Sequence, residues 1–135
     1  MAKPTYQDAD LLIKMAQWNT ALGIPEILNW IWSDAFITDY EEFTKKYPQG
    51  SEEFRKVIDL LGWYETLGTL YKNGLFNKKL LFDWLLIGPH WKRLEGIALG
   101  QRKARGNPRI FENFEAMAKA EVKAEAKAGK KANKK

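Results

Sequence analysis

Apolar residues recur every three or four positions along most of this chain, which is the spacing of residues on one face of an α-helix. The segment after Ser51 is the clearest case. Its stripe consists of Phe54, Val57, Ile58, Leu61, Glu65 and Gly68. Alternation of apolar and polar residues, which is typical of half-buried strands, is scarce. The pattern therefore predicts an all-α fold.

Glycine, proline and asparagine residues divide this pattern into segments. Helices are predicted over about residues 8–22, 25–47, 51–73, 78–87 and 89–104, and a last helix is predicted to begin near residue 108. Ser51 and Asn77 are the expected N-caps of the third and fourth of these helices. A break inside the second helix is expected near Ser33 and Asp34, because these side chains compete for backbone hydrogen bonds. We therefore expect a compact bundle of five or six helices with short connections.

The net charge of +5 is concentrated near the C-terminus. Residues 1–118 contain 15 basic and 15 acidic residues, whereas residues 119–135 contain seven lysines and two glutamates. We therefore expect a neutral helical domain over residues 1–118 and a basic tail over residues 119–135. The tail composition favours helix but offers no large apolar face for packing. A fraying helical extension with a disordered basic end is the prediction.

The composition excludes several kinds of site. Without cysteine there are no disulfides and no thiolate metal ligands, and a single histidine gives no recognisable zinc site. Glycine-rich phosphate loops and nucleophile elbows are not found. We therefore expect a protein that is not an enzyme and holds no cofactor. The most apolar run, residues 80–87, contains Asp83 and is far shorter than the roughly 20 residues of a membrane span. The absence of cysteine is compatible with a cytosolic setting, and we expect a cytoplasmic protein.

Charged residues interrupt the predicted apolar faces. Glu65 lies in the middle of one stripe, and Arg102 follows Glu95 by seven residues on the face that Trp91 also occupies. A buried charge without a partner is costly, so we expect these groups to pair or to reach water. One interpretation is a polar site between helices in which Glu65 acts as an acid or base. We favour the other, a structural ion pair that fixes the register of the helices.

The six tryptophans are many for a chain of 135 residues. Trp63 lies opposite the apolar stripe of its helix, and Trp32 lies off the main face of the preceding one. Both are therefore candidate anchors for a partner protein. We favour the other interpretation, in which both tryptophans pack beneath neighbouring helices. A third interpretation is that the tryptophans line a pocket for an apolar or aromatic ligand.

A spaced pattern runs through residues 62–115. It comprises an aromatic–Glu pair, a Gly–apolar turn, a tryptophan, an arginine and a closing Phe–Glu pair. Its members are Trp63, Tyr64, Glu65, Gly74, Leu75, Trp91, Arg102, Phe114 and Glu115. The pattern resembles that of an uncharacterised family of small helical bacterial and phage-type proteins. The resemblance implies an all-helical fold and no particular activity, and it suggests that Glu115 joins Glu65, Glu95 and Arg102 in a buried polar cluster.

These features favour a non-enzymatic interaction or regulatory module that binds another protein, with a second copy of the chain as one candidate partner. The first alternative is a nucleic-acid-associated protein in which Lys130, Lys131, Lys134 and Lys135 make sequence-independent phosphate contacts. The second alternative is a helical bundle that binds a small molecule in a Trp-rich pocket.

Overall fold

The computed structural model describes residues 3–133, and side chains as far as residue 131. The described residues form seven α-helices and contain no strand. The helices are α1 (Tyr6–Ala21), α2 (Ile24–Ile31), α3 (Tyr40–Lys46), α4 (Glu52–Lys72), α5 (Lys78–Trp84), α6 (Ile87–Arg105) and α7 (Glu112–Asn133). The predicted all-α fold is confirmed, whereas the predicted count of five or six helices is wrong.

The extra helix arises because the predicted second helix is divided in two. Helix α2 ends at Ile31, and the hydroxyl of Ser33 donates to the carbonyl oxygen of Trp30 at 2.6 Å. Helix α3 starts afresh after Asp39, whose carboxylate accepts from the backbone N–H of Glu42 at 3.0 Å. Short polar side chains at both points satisfy backbone groups that a continuous helix would have paired internally.

Several helix starts follow the expected capping chemistry. Ser51 accepts from the N–H of Phe54, and Asn77 accepts from the N–H of Leu80, as N-caps of α4 and α5. Helix α1 begins earlier than predicted, because Thr5 and Asp8 form a reciprocal capping box. Local sequence therefore defines these starts to within a few residues.

The core forms around α4, α6 and α7. Helix α7 packs along both α4 and α6, and α2 also packs against α4. Individual side-chain contacts join α1 and α5 to α4. Helices α4 and α7 approach each other closely at Gly68, where a Cβ would lie 2.5 Å from the backbone carbonyl group of Asn113. The absence of a side chain on α4 thus lets the N-terminal turn of α7 lie directly against it.

Trp63 is not the exposed anchor that the sequence suggested. It is 1% exposed, its indole N–H donates to the carbonyl oxygen of Met15 at 3.0 Å, and its ring packs edge-on against Trp84 at 5.9 Å. The candidate anchor is wrong for Trp63 and the favoured packing beneath neighbouring helices is observed, because α4 is covered on more than one side. A residue opposite its main stripe therefore still faces other helices.

Helix α7 includes the helical extension that was predicted beyond residue 118. It continues without interruption through residue 119, where the basic tail was expected to begin. Glu121 is buried at 1% exposure, so the packed part of the molecule extends at least three residues past residue 118. None of the helices within residues 3–133 combines the length and apolar character needed to cross a membrane.

Candidate functional site

Glu65 binds the N-terminus of α7. Its Oε1 accepts the backbone N–H groups of Asn113 and Phe114, both at 2.9 Å, and its Oε2 accepts the side-chain amide of Asn113 at 2.9 Å. The first turn of a helix presents unpaired N–H groups and a partial positive charge, which suit a carboxylate. The expected ion pair between Glu65 and Arg102 does not occur, because this helix end satisfies Glu65 instead.

Arg102 pairs with Glu115 at the other side of the same junction. Its Nη2 lies 2.9 Å from Glu115 Oε1, its Nε donates to the carbonyl oxygen of Ile110 at 2.7 Å, and its guanidinium lies 5.8 Å from the centre of the Trp91 ring. Glu115 also accepts from Lys119 at 2.9 Å. The Lys119 hydrogen bond and, after it, Arg102 lower the pKa of Glu115, although partial burial opposes them.

Glu95, the fourth member of the expected polar cluster, lies apart from these contacts. It is half-buried on α6, and no hydrogen bond or ion pair joins it to another described residue. The structure therefore divides the expected cluster into two separate arrangements. Glu65 binds a helix end, and Arg102 forms an ion pair with Glu115.

Glu121 is a buried carboxylate that the sequence analysis missed. Its two oxygens accept the backbone N–H groups of Ile87 and Gly88 at 2.9 and 2.8 Å. It therefore binds the N-terminus of α6 as Glu65 binds that of α7. A sequence signal existed, because Glu121 follows Phe114 by seven residues and so continues the buried face of α7.

A buried tyrosine and the single histidine lie beside this carboxylate. The hydroxyl of Tyr64 lies 2.7 Å from Nδ1 of His90, and Tyr64 is 1% exposed. Burial, and then the charge of Glu121, raise the pKa of Tyr64 far above its ordinary value. Burial also lowers the pKa of His90, against the effect of a hydrogen bond with the Leu86 backbone. Both effects favour a neutral pair, in which the phenol is shielded from solvent.

The residues of the spaced sequence pattern meet at the junction of α4, α6 and α7. The Tyr64 and Phe114 rings stack 4.4 Å apart, and Trp91 packs edge-on against Phe114 at 5.1 Å. With the Glu65 and Arg102 contacts, these rings join all three helices. The pattern thus describes one packed structural unit, except for Gly74 and Leu75, which follow the end of α4.

This chain belongs to the DUF4760 family, a domain of unknown function. The family matches residues 4–120, which includes nearly all of the packed bundle. The resemblance noted from the spaced pattern is therefore confirmed at the level of an uncharacterised family, while a bacterial or phage-type origin stays a prediction. Neither a curated protein nor a solved structure matches the chain.

Trp32 occupies the surface that the sequence suggested for it. It is 50% exposed at the C-terminal end of α2. Its ring centre lies 5.6 Å from that of His90 and 5.8 Å from the Arg93 guanidinium. Arg93 in turn donates to the carbonyl oxygens of Ile31 and, at 3.0 Å, Ser33. One exposed aromatic ring is therefore attached to a fixed polar framework.

Two clefts lie on the surface away from Trp32. One has a volume of about 410 Å³ and includes Trp30 among its mixed apolar and charged lining residues. The other, of about 650 Å³, lies between α5 and α7 and is rich in lysine. Of the four lysines expected to contact phosphate, Lys131 lines this second cleft and Lys130 is exposed on α7. Lys134 and Lys135 lie outside the described residues.

Proposed function

We propose that this chain is a non-enzymatic, cytoplasmic interaction module that binds another protein through the surface around Trp32. The observation that carries the proposal is the combination of exposure and fixed geometry at this tryptophan. Half of its surface is available to a partner, while His90 and Arg93 hold the ring from the side of the bundle. Tryptophan and arginine are the residue types most enriched among those that dominate binding energy in protein interfaces.

The framework beneath Trp32 supports rapid and specific binding. Arg93 is held by two backbone carbonyl groups at the end of α2, and His90 is held by Tyr64 inside the bundle. A side chain that is already ordered loses less conformational entropy when a partner covers it. The arrangement therefore favours a preformed contact surface.

The buried and half-buried ionisable groups support the non-enzymatic part of the proposal. Glu65 and Glu121 each accept hydrogen bonds from a helix N-terminus. Arg102 forms an ion pair with Glu115 and donates to a backbone carbonyl group. Tyr64 is enclosed with His90. A catalytic acid, base or nucleophile must reach its substrate, and these groups are engaged in holding helices together.

The test compares two single substitutions with the unaltered chain. Trp32→Ser removes the proposed anchor, and Trp18→Ser removes a tryptophan of similar exposure, 39%, on α1. Self-association is measured by sedimentation equilibrium, and other partners by affinity capture from cell lysate followed by a direct titration of the purified pair. Loss of a dominant tryptophan should weaken binding by about 30-fold, which corresponds to about 2 kcal/mol.

The expected outcome is one defined complex, with itself or with another protein, that Trp18→Ser retains and Trp32→Ser loses. Equal affinity for all three proteins would place the contact surface elsewhere. A chain that stays monomeric and yields no partner in direct titration would contradict the proposal as a whole.

A further inference from the structure

The cleft between α5 and α7 gathers five lysines around a partly aromatic floor. Helix α5 contributes two lysines and Phe82, and α7 contributes a lysine stripe beside an alanine stripe. The lining residues are Lys78, Lys79, Phe82, Asp83, Ala120, Lys123, Ala124, Lys127, Ala128 and Lys131. The small alanine side chains keep the cleft open, and its volume is about 650 Å³. We infer that this cleft binds the phosphate backbone of single-stranded nucleic acid.

The charges in the cleft are not neutralised within the protein. None of the five lysines takes part in an ion pair with another described residue, and Asp83 is the one acidic side chain in the lining. Five like charges around one cleft repel one another and attract a polyanion, particularly at low salt. Residues 1–118 as a whole carry equal numbers of basic and acidic residues, so the net positive charge of the chain lies on residues 119–135.

The lysine spacing matches a linear polyanion better than a single small anion. Lys123, Lys127 and Lys131 are each four residues apart, so about 6 Å separates successive lysines along α7. This is close to two nucleotide steps of about 3.4 Å along a stacked strand. A row of this kind is able to contact every second phosphate of a strand that lies along the cleft.

Phe82 favours a single strand over a duplex. It is half-buried, it packs against Tyr71 at 5.8 Å between ring centres, and Lys78 lies 5.9 Å from its ring centre. A partly exposed aromatic ring beside a basic groove is able to bind unpaired bases by stacking. Bases in a duplex are already stacked on one another and present only their edges to the grooves.

The cleft is less suited to a membrane surface. Interfacial helices place large apolar side chains opposite their basic face, so that these side chains enter the lipid. The α7 residues that line this cleft are alanines and lysines, which give a shallow apolar surface. Binding to anionic lipid is therefore the competing outcome of the test.

The experiment measures binding of the full chain to a fluorescently labelled thymidine 12-mer by anisotropy over a series of salt concentrations. Five phosphate contacts to a single strand predict a log–log slope of about −3.5, or a roughly 100-fold loss of affinity from about 50 to about 200 mM salt. Lys123→Gln, Lys127→Gln and Lys131→Gln together should reduce the slope to about −1.4 and the loss to about sevenfold.

The matched control removes the same number of positive charges from lysines outside the cleft. Lys14, Lys45 and Lys92 are exposed lysines outside the cleft, and their replacement by glutamine also lowers the net charge by three. This control should retain a slope of about −3.5. A further variant, Phe82→Leu, keeps an apolar side chain against Tyr71 and should lose at least about fivefold in affinity through lost stacking. Circular dichroism confirms that each variant is folded.

Retention of the steep slope by the control and its loss in the cleft variant would support the inference. Equal losses in the two triple variants would show a net-charge effect and overturn it. It would also be overturned by tighter binding to a duplex of the same length, by binding to phosphatidylserine vesicles but not to the 12-mer, or by no binding at about 50 mM salt. The Trp32→Ser protein should bind the 12-mer normally, so failure here leaves the proposed protein contact unaffected.

Discussion

The buried carboxylate of Glu121 should contribute strongly to stability even though it lies beyond the expected end of the domain. It accepts two backbone N–H groups from the first turn of α6 and is 1% exposed. In Glu121→Gln one oxygen is replaced by an NH₂ group, which cannot accept from the N–H that it faces. The change removes one charge-assisted hydrogen bond, leaves one buried N–H unsatisfied and weakens the interaction with the helix dipole.

A hydrogen bond to a charged group contributes about 1.5–3 kcal/mol, and an unsatisfied buried group costs about 1–3 kcal/mol. Together these effects should lower the free energy of unfolding by about 3 kcal/mol. With an m-value of about 2 kcal/mol per molar urea, the midpoint of urea unfolding should fall by about 1.5 M. The assay is urea unfolding followed by tryptophan fluorescence and by circular dichroism, so that both tertiary and helical signals are recorded.

Glu125→Gln is the matched control, because Glu125 lies one turn further along α7 and is exposed. Glu125→Gln should change the free energy of unfolding by no more than about 0.5 kcal/mol. If Glu121→Gln is no more destabilising than this control, the reasoning about the α6 N-terminus is refuted. A truncation after Ala118 removes Glu121 as well as the basic segment, so a loss of binding in such a protein would not by itself assign the binding to the lysines.

Three further predictions concern packing and pH. Gly68→Ala should destabilise the protein by about 1–3 kcal/mol in urea unfolding, because the added Cβ would meet the Asn113 backbone. Gly62→Ala, which has nothing within 4 Å of its Cβ, should instead stabilise α4 by up to about 1 kcal/mol. A change of the same sign in both variants would contradict this account. The lowered pKa of His90 means that the unfolded chain binds the proton more readily, so the free energy of unfolding should decrease as pH falls below 6.5. His90→Gln should flatten this pH dependence. An unchanged pH profile in the variant would show that another group is responsible. Because the pKa of Glu115 is lowered, its contribution to the free energy of unfolding is complete above pH 4.5 and is lost as the pH falls through the pKa of the folded state. Glu115→Gln should therefore reduce the acid sensitivity of the melting temperature, whereas Glu125→Gln should not.

The polar interior of this bundle consists largely of side chains from one helix bound to the end of another. Glu65 on α4 binds the start of α7, and Glu121 on α7 binds the start of α6. Arg93 on α6 binds the end of α2. Each contact satisfies backbone groups that have no partner within their own helix. The contacts therefore fix how the helices are placed along one another, which apolar packing alone specifies less precisely.

The sequence by itself determined the features that depend on nearby residues. The spacing of apolar residues predicted an all-α fold, and Ser51 and Asn77 predicted the starts of α4 and α5. The spaced aromatic and charged pattern predicted membership of an uncharacterised family. These features are accessible from sequence because helix periodicity and capping act over three to seven residues.

The tertiary structure alone decided which groups meet across the bundle. The partner of Glu65 lies 48 residues away at Asn113, and no local pattern distinguishes that helix end from Arg102 as its partner. Trp63 was a candidate for the surface because periodicity describes one face of a helix, whereas α4 is surrounded by several neighbours. The lysine cleft likewise exists only because α5 and α7 lie side by side. Such contacts depend on how the chain is threaded in space, which the local periodicity of this one sequence does not specify.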